Sequence, residues 1–159
     1  MPKYKTEEEK KFAVQKYGFA IQFLDNPSEE VQKLAVQQNG YALYYIDNTS
    51  EEVQKLAVQE NGHAIIFIHN PSEEVQKLAV QQNVNAIQHI YNPSEEIQKL
   101  AVQKTVSAIQ YIDNPSEEIQ KLAIELSRFD PRIITVCPEK DLSLKEWIET
   151  NLMIKDIIE

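Results

Sequence analysis

The feature that most limits the possible folds is a 22-residue segment that recurs almost letter for letter along the chain. Its best copies begin at Asn26, Asn48, Asn70 and Asn92, and the first of them reads NPSEEVQKLAVQQNGYALYYID. A looser copy precedes these four and a diverged copy follows them. Short, regular repeats of this kind are typical of stacked folds, because one unit cannot bury its apolar side without neighbours.

The repeat boundaries predict how the chain is organised. We expect a single all-α domain over residues 1–159, built as a right-handed α-solenoid of about six helical hairpins with a C-terminal capping helix. The hairpins are expected at residues 4–25, 26–47, 48–69, 70–91, 92–113 and 114–135, and the cap at residues 136–159.

Each hairpin is expected to begin with a long helix. In the second repeat, Asn26 is the expected N-cap, Pro27 fits the first turn, and Glu29 is placed to reach back to the capping amide. Asn39 and Gly40 tolerate the left-handed conformation, and we expect them to end the helix.

A second, shorter helix is predicted over about residues 41–46. Its Ala42, Leu43 and Ile46 are expected to pack on the long helix. Helices this short are unstable alone, so contacts between repeats must stabilise each hairpin.

The two ends of the chain are expected to differ from the middle. In the first repeat, Thr6 and Glu9 have the capping-box spacing, and Phe12 is expected in the core. A last helix is predicted to begin near Ser143 and to cover the open end of the stack. The alternative is that it forms a homodimer interface built on Trp147.

Composition excludes several classes of partner. The chain has 25 acidic and 16 basic side chains, a net charge of -9, so direct binding of nucleic acid is not expected. The single cysteine, Cys137, cannot form an internal disulfide, which favours a reducing, cytoplasmic location. No apolar stretch is long enough to span a membrane, and no membrane partner is expected.

Variation among the four best copies is concentrated in the short helix. Their first 12 positions differ at two places, whereas eight of the last 10 differ. The freely changing positions follow the spacing i, i+3, i+6 and should share one face, opposite Ala42 and Ile46. This variable strip comprises Phe19, Gln22, Asp25, Tyr41, Tyr44, Asp47, His63, Ile66, His69, Asn85, Gln88, Tyr91, Ser107, Gln110 and Asp113.

The strip is rich in Tyr and His and poor in Lys and Glu, which is typical of protein recognition surfaces. The alternative interpretation is that exposed positions simply drift. A companion row, Phe23, Tyr45, Phe67, His89 and Tyr111, is expected to be semi-buried packing. The predicted partner-binding residues are Phe19, Tyr41, Tyr44, Tyr45, His63, Ile66, His69, Asn85, Gln88, Tyr91, Ser107 and Gln110. Tyr41, Tyr44 and Tyr45 are the strongest candidates.

Signals for catalysis or metal binding are weak. His63 and His69 lack the i, i+4 spacing of a helical metal site, and His89 lies one repeat away in a different register, so neither a metal site nor a cofactor is expected. Cys137 has no evident histidine partner and is not expected to be a nucleophile. The sequence therefore does not indicate an enzyme.

The motif NPSEEVQKLAVQQNG, followed by AI or AL and a closing hydrophobic residue, resembles two groups of repeats over residues 4–135. One is the leucine-rich repeat variant family, and the other is a set of helical repeats with AV-x-x-NG-x-A cores from phage, giant viruses and bacteria. Both resemblances imply an interaction scaffold without catalytic residues. The variant family's iron–sulfur association requires a cysteine cluster, which Cys137 alone cannot supply. The viral resemblance implies a phage protein that inhibits a host defence protein.

These observations predict a non-catalytic scaffold that binds a protein partner through the variable strip. Two alternatives belong to other classes. One is sequestration of a small molecule such as a nucleotide, in a cleft between repeats or in a dimer. The other is an acidic mimic of nucleic acid.

Overall fold

The computed structural model describes residues 6–127. Within that range every regular element is helical, and six α-helices alternate with five 3₁₀ helices in the expected 22-residue rhythm. The predicted all-α repeat architecture is therefore confirmed. The elements are α1 (Glu7–Lys16), η1 (Gly18–Phe23), α2 (Glu29–Gln38), η2 (Gly40–Tyr45), α3 (Glu51–Glu60), η3 (Gly62–Phe67), α4 (Glu73–Gln82), η4 (Val84–His89), α5 (Glu95–Lys104), η5 (Val106–Tyr111) and α6 (Glu117–Ser127).

The chain divides into two compact units, Met1–His89 and Ile90–Glu159. In the first, each long helix packs on the next, and each 3₁₀ helix packs on the long helix of its own repeat, with contacts also between successive 3₁₀ helices. In the second, α5, η5 and α6 pack on one another. The capping helix and Trp147 lie outside the described residues, and the single domain over residues 1–159 stays a prediction.

A serine caps each of the helices α2 to α6, so the prediction that Asn26 is the N-cap is wrong. Ser28 Oγ accepts a hydrogen bond from the Val31 N–H at 3.3 Å, and α2 begins one residue later. Asn26 instead has a φ of 44°, in the left-handed region that asparagine tolerates better than most residues. The asparagine makes the turn between repeats and the serine starts the helix. The expected capping box between Thr6 and Glu9 is confirmed.

The far end of the long helix also differs from expectation. Asn39 is extended, with a φ of -158°, and no glycine in residues 6–127 has a positive φ. The Asn39 side chain caps the next element, since its Oδ1 accepts from the Tyr41 N–H at 3.0 Å. That element, η2, is a 3₁₀ helix over Gly40–Tyr45, whereas a helix over about residues 41–46 was predicted.

Gly40 is required by close approach between repeats. A Cβ there would lie 2.5 Å from the Ala57 carbonyl oxygen and 2.8 Å from Glu60 Oε2. The Gly40 N–H donates a hydrogen bond to Glu60 Oε2 in α3. Equivalent bonds join Gly18 to Gln38 at 2.6 Å and Gly62 to Gln82 at 2.7 Å. These bonds tie η1, η2 and η3 to the end of the following long helix.

The core consists of the same positions in each repeat. Val31, Ala35 and Val36 of α2 are fully buried, and so is Ala42 of η2, with Leu43 only 3% exposed. These are the expected core positions, although Ile46 is half-buried.

Phe12 is 59% exposed, so its predicted place in the core is wrong. It occupies the register of Leu34, which is only half-buried in its own repeat. The larger phenylalanine ring therefore extends to the surface, where Lys16 Nζ lies 4.7 Å from its centre.

A second set of hydrogen bonds links the starts of successive long helices. Ser50 Oγ donates to Glu29 Oε1 at 2.9 Å, and Lys33 Nζ lies 3.2 Å from the same oxygen. Ser72 and Glu51 repeat the contact at 2.7 Å. The Ser50 hydrogen bond, followed by Lys33, lowers the pKa of Glu29 below its ordinary value. This contact explains why the serine and the glutamate that follows it recur in all four of the best copies.

We predict that Gly40→Ala destabilises the fold by about 1–3 kcal/mol, because the added methyl group overlaps the Ala57 carbonyl. Alanine would also restrict the unfolded chain, which favours folding by about 0.4–1 kcal/mol, so the measured loss of stability is the cost of the overlap less this gain. The free energy of unfolding, measured with urea, should be compared between this variant and Gln37→Ala, which changes an exposed residue of α2. Equal stability of the two variants would contradict the close-approach explanation.

A second prediction concerns the carboxylates at the helix starts. Ser50→Ala should raise the pKa of Glu29, because it removes the strongest of the interactions that lower it. Since the lowered pKa stabilises the fold above the ordinary pKa of 4.5 and the benefit disappears as the pH falls below it, the variant should lose less stability on acidification.

Carboxyl chemical shifts, followed by NMR as the pH is varied, give the pKa values of Glu29 and Glu51 in one sample. The matched control is Glu51, whose pKa is lowered chiefly by Ser72 and should stay low in Ser50→Ala. In Ser72→Ala the two responses should exchange. A Glu29 pKa that does not respond to loss of Ser50 would refute the assignment.

Candidate functional site

The variable strip lies on the 3₁₀ helices and on the bends that follow them, and none of its side chains is in the core. The members on the bends are Asp25, Asp47, His69, Tyr91 and Asp113. In the unit Met1–His89, Tyr44 is 64% and Ile66 49% exposed, whereas Tyr41 is half-buried. Phe19 and His63 are also half-buried, and His69, Asn85 and Gln88 are exposed. In the unit Ile90–Glu159, Tyr91 is 89% exposed, and Ser107 and Gln110 are half-buried.

Rings of successive 3₁₀ helices contact one another in a fixed pattern. The ring centroids of Phe19 and Tyr45 are 5.8 Å apart, edge to face. Tyr41 and Phe67 make the same contact at 6.0 Å in the next pair of repeats. In each case a strip residue contacts the companion-row residue one repeat further along the chain.

Further contacts join these pairs. Tyr44 lies 5.0 Å from Tyr45 of its own helix and 5.2 Å from Phe67 of the next helix, measured between ring centroids. Tyr17 packs on Phe19 at 5.5 Å. The result is one connected group of rings over three repeats, which we call the aromatic ridge: Tyr17, Phe19, Tyr41, Tyr44, Tyr45 and Phe67.

The companion row is exposed, so its predicted role as semi-buried packing is wrong for most of its members. Phe23 is 66%, Tyr45 42% and Tyr111 41% exposed, and His89 is exposed as well, whereas Phe67 is half-buried. Tyr45 lies against the rings of Phe19 and Tyr44, at the surface.

Sequence reasoning left Phe67 and Tyr17 out of the partner-binding residues. Phe67 occupies the same repeat register as Tyr45, so the 22-residue period contained the signal that would have placed it. Tyr17 precedes η1 and is 56% exposed, and no repeated aromatic residue marks its register.

Backbone contacts hold the strip residues in place. The Asn61 side chain accepts from the His63 N–H at 3.0 Å, and Asn83 does the same for Asn85. Together with Asn39, these caps fix the first turn of three successive 3₁₀ helices, whose alanine and leucine or isoleucine residues are buried beneath. The surface side chains therefore vary on a constant backbone.

The candidate site carries few charged side chains. The strip and the companion row contain no lysine, arginine or glutamate, and aspartates are their only acids. The ion pairs Lys33–Glu29 and Lys55–Glu51 belong to the long helices. A surface of this kind loses little charge hydration when another molecule covers it.

The histidines lie closer together than their spacing predicted. The rings of His63 and His89 are 5.9 Å apart between centroids, inclined at 66°. Partial burial, and secondarily the charge of His63, lowers the pKa of His89. Within residues 6–127 no group of three or more potential metal ligands occurs.

A groove of about 590 Å³ lies between α5 and α6, away from the 3₁₀ helices. It is lined by Glu95, Glu96, Lys99, Glu118, Ile119, Lys121, Leu122 and Glu125. Four carboxylates against two ammonium groups make it unfavourable for a phosphate. None of the helices in the described part of the chain has the length and hydropathy needed to cross a membrane.

Comparison with known proteins gives no relative. No family model matches the chain, and no match was found among curated proteins or solved structures. The resemblance to the leucine-rich repeat variant family and to viral helical repeats stays a prediction.

We predict that Tyr41 and Phe67 stabilise each other. In a double-mutant cycle with Tyr41→Leu and Phe67→Leu, the coupling energy should be about 0.5–1.5 kcal/mol, the usual value for an edge-to-face pair. Urea unfolding of the four proteins supplies the energies. A cycle between Tyr41 and Phe12 serves as the control and should show no coupling, and a Tyr41–Phe67 coupling near zero would contradict the ring contact.

Proposed function

We propose that the chain is a non-catalytic scaffold that binds a partner protein through the aromatic ridge and the strip residues beside it. The observation that carries this proposal is Tyr44, which is 64% exposed and lies in ring contact with both Tyr45 and Phe67. An exposed ring that neighbouring rings already restrain loses little conformational freedom when a partner covers it.

The chemistry of the ridge supports a protein partner. Tyrosine offers a large apolar face and a hydroxyl group, and such residues dominate the binding energy of many protein interfaces. Ile66, 49% exposed, adds an aliphatic surface next to them in the third repeat. The polar members, such as Asn85 and Gln88, are exposed and can form the hydrogen bonds of a rim.

Free drift of exposed positions explains the variation less well. Gln37 is exposed in α2, yet its register holds glutamine in all four best copies. Change is therefore concentrated on the 3₁₀ helices and does not follow exposure alone. A surface that varies above a constant scaffold is what repeat proteins use to recognise their partners.

The two alternatives have weaker support. Sequestration of a nucleotide would need a basic pocket, and the groove between α5 and α6 carries mostly carboxylates. A nucleic-acid mimic would need free acidic groups, but Glu29 and Glu51 are hydrogen-bonded to serines at helix starts. An inhibitor of host defence, a cytoplasmic location and dimerisation through Trp147 remain expectations from the sequence and its resemblances.

Site-specific photo-crosslinking tests the proposal. A photoreactive phenylalanine analogue replaces Tyr44 in one protein and Gln37, on the long-helix face, in the other. Both are exposed to lysate of the source organism. The Tyr44 protein should form a discrete crosslinked species that the Gln37 protein does not form, and equal crosslinking from both faces would refute the proposal.

The matching loss-of-function test uses Tyr44→Ala combined with Ile66→Ala. Affinity for the crosslinked partner should fall by at least roughly 30-fold, as expected when binding loses about 2 kcal/mol at a central aromatic residue. The control is Gln37→Ala with Gln59→Ala, which changes two exposed long-helix residues. Unimpaired binding by the Tyr44/Ile66 variant, with unchanged helical circular dichroism, would exclude this face as the interface.

A further inference from the structure

Two imidazoles meet where the two preceding pairs of repeats place aromatic rings. His63 occupies the register of Phe19 and Tyr41, and His89 occupies the register of Tyr45 and Phe67. Their ring centroids are 5.9 Å apart, about as far apart as those of the other two pairs. His63 and His89 thus occupy places that hold two contacting aromatic rings in the preceding pairs, and unlike those rings both imidazoles can bind a metal ion.

We propose that His63 and His89 together bind one divalent transition-metal ion, with copper(II) held most tightly. Two imidazoles whose nitrogens lie about 2.0–2.1 Å from one ion place their ring centroids roughly 4.5 Å apart when they are cis on a square-planar copper(II) ion, and roughly 5 Å apart on a tetrahedral ion. The pair is already 5.9 Å apart. His89 is exposed and His63 half-buried, so a small rotation of the more exposed ring brings a nitrogen of each to the ion.

Both side chains are chemically suited to a transition-metal ion. Neutral imidazole binds such ions through a ring nitrogen. The affinity of nitrogen ligands for divalent first-row ions generally rises from manganese to copper and falls at zinc, so copper(II) should bind this pair most tightly. No glutamate lies in the strip or the companion row, and within residues 6–127 no carboxylate is grouped with the pair as a third ligand.

The bound ion would change the molecule in two ways. It would join η3 to η4, and because only the folded chain holds the two rings together, it would stabilise the fold. Two protein ligands leave further coordination positions for water or for a donor from another molecule. The site joins His63 of the variable strip to His89 of the companion row, and binding of the ion needs no protein partner and can be tested without one.

The test is a titration of the purified, untagged chain with copper(II) chloride at pH 7.4, followed by calorimetry in a buffer that does not bind copper. Every protein carries Cys137→Ser, so that no thiol binds the ion. The informative variants are His63→Phe, which copies Phe19, and His89→Phe, which copies Phe67. The control is His69→Tyr, which copies Tyr91 and leaves the pair intact.

The parent should bind one equivalent of copper, and each variant of the pair should bind at least about tenfold more weakly, since a single imidazole loses the effect of a preformed second ligand. His69→Tyr should bind as the parent does. Copper should raise the melting temperature of the parent and of His69→Tyr, but not that of the phenylalanine variants. Equal affinities in the parent and His63→Phe, or a loss in His69→Tyr as large as in the pair variants, would overturn the proposal.

Discussion

The fold depends on how closely one repeat approaches the next. Gly40 lies so near α3 that its amide bonds to Glu60 and a single methyl group would meet the Ala57 carbonyl. At the other end of the repeat, Ser50 bonds to Glu29 of the preceding helix. These two contacts join successive repeats at both ends of the long helix. Since neither helix of a hairpin is long enough to be stable alone, the joints between repeats supply the stability that the single unit lacks.

The contacts between repeats also explain why some positions of the repeat are constant and others vary. The serine and glutamates of the joint at the helix start, and the core valines and alanines, read almost identically in the four best copies. The short helix is held by the Asn39 cap and by Leu43 beneath it, which leaves the outer side chains free to change. Variation therefore accumulates on the face that carries the aromatic ridge, where it leaves the backbone unchanged.

Much of the fold could be read from the sequence, because periodicity and burial are local patterns. The long helices, their buried Val31 and Ala35, and the capping box of Thr6 and Glu9 follow from spacing alone. The choice of Ser28 as the cap over Asn26 could not be read, since both residues cap helices well and only the left-handed turn at Asn26 decides between them.

The candidate site was only partly predictable for a related reason. Spacing within one helix shows which residues share a face, but not which residue of the next repeat they touch. The offset that places Phe19 against Tyr45 and His63 against His89 arises from the stacking geometry. Residues assigned from the sequence to two separate rows therefore belong to one surface, and two histidines judged too far apart in register are neighbours.

The contact at Gly40 also restricts how such a chain can grow. Copies with glycine at this place are followed by a glutamine or glutamate twenty residues later, whereas Val84 and Val106 are followed by Lys104 and Leu126, which cannot accept a hydrogen bond. The residue at the Gly40 place of one repeat is thus matched to the residue that faces it at the end of the next long helix. Recombination between near-identical gene segments would keep this hydrogen bond only where a copy with glycine precedes one with glutamine or glutamate at the matching place, so the order of the copies decides how many such bonds the chain can form.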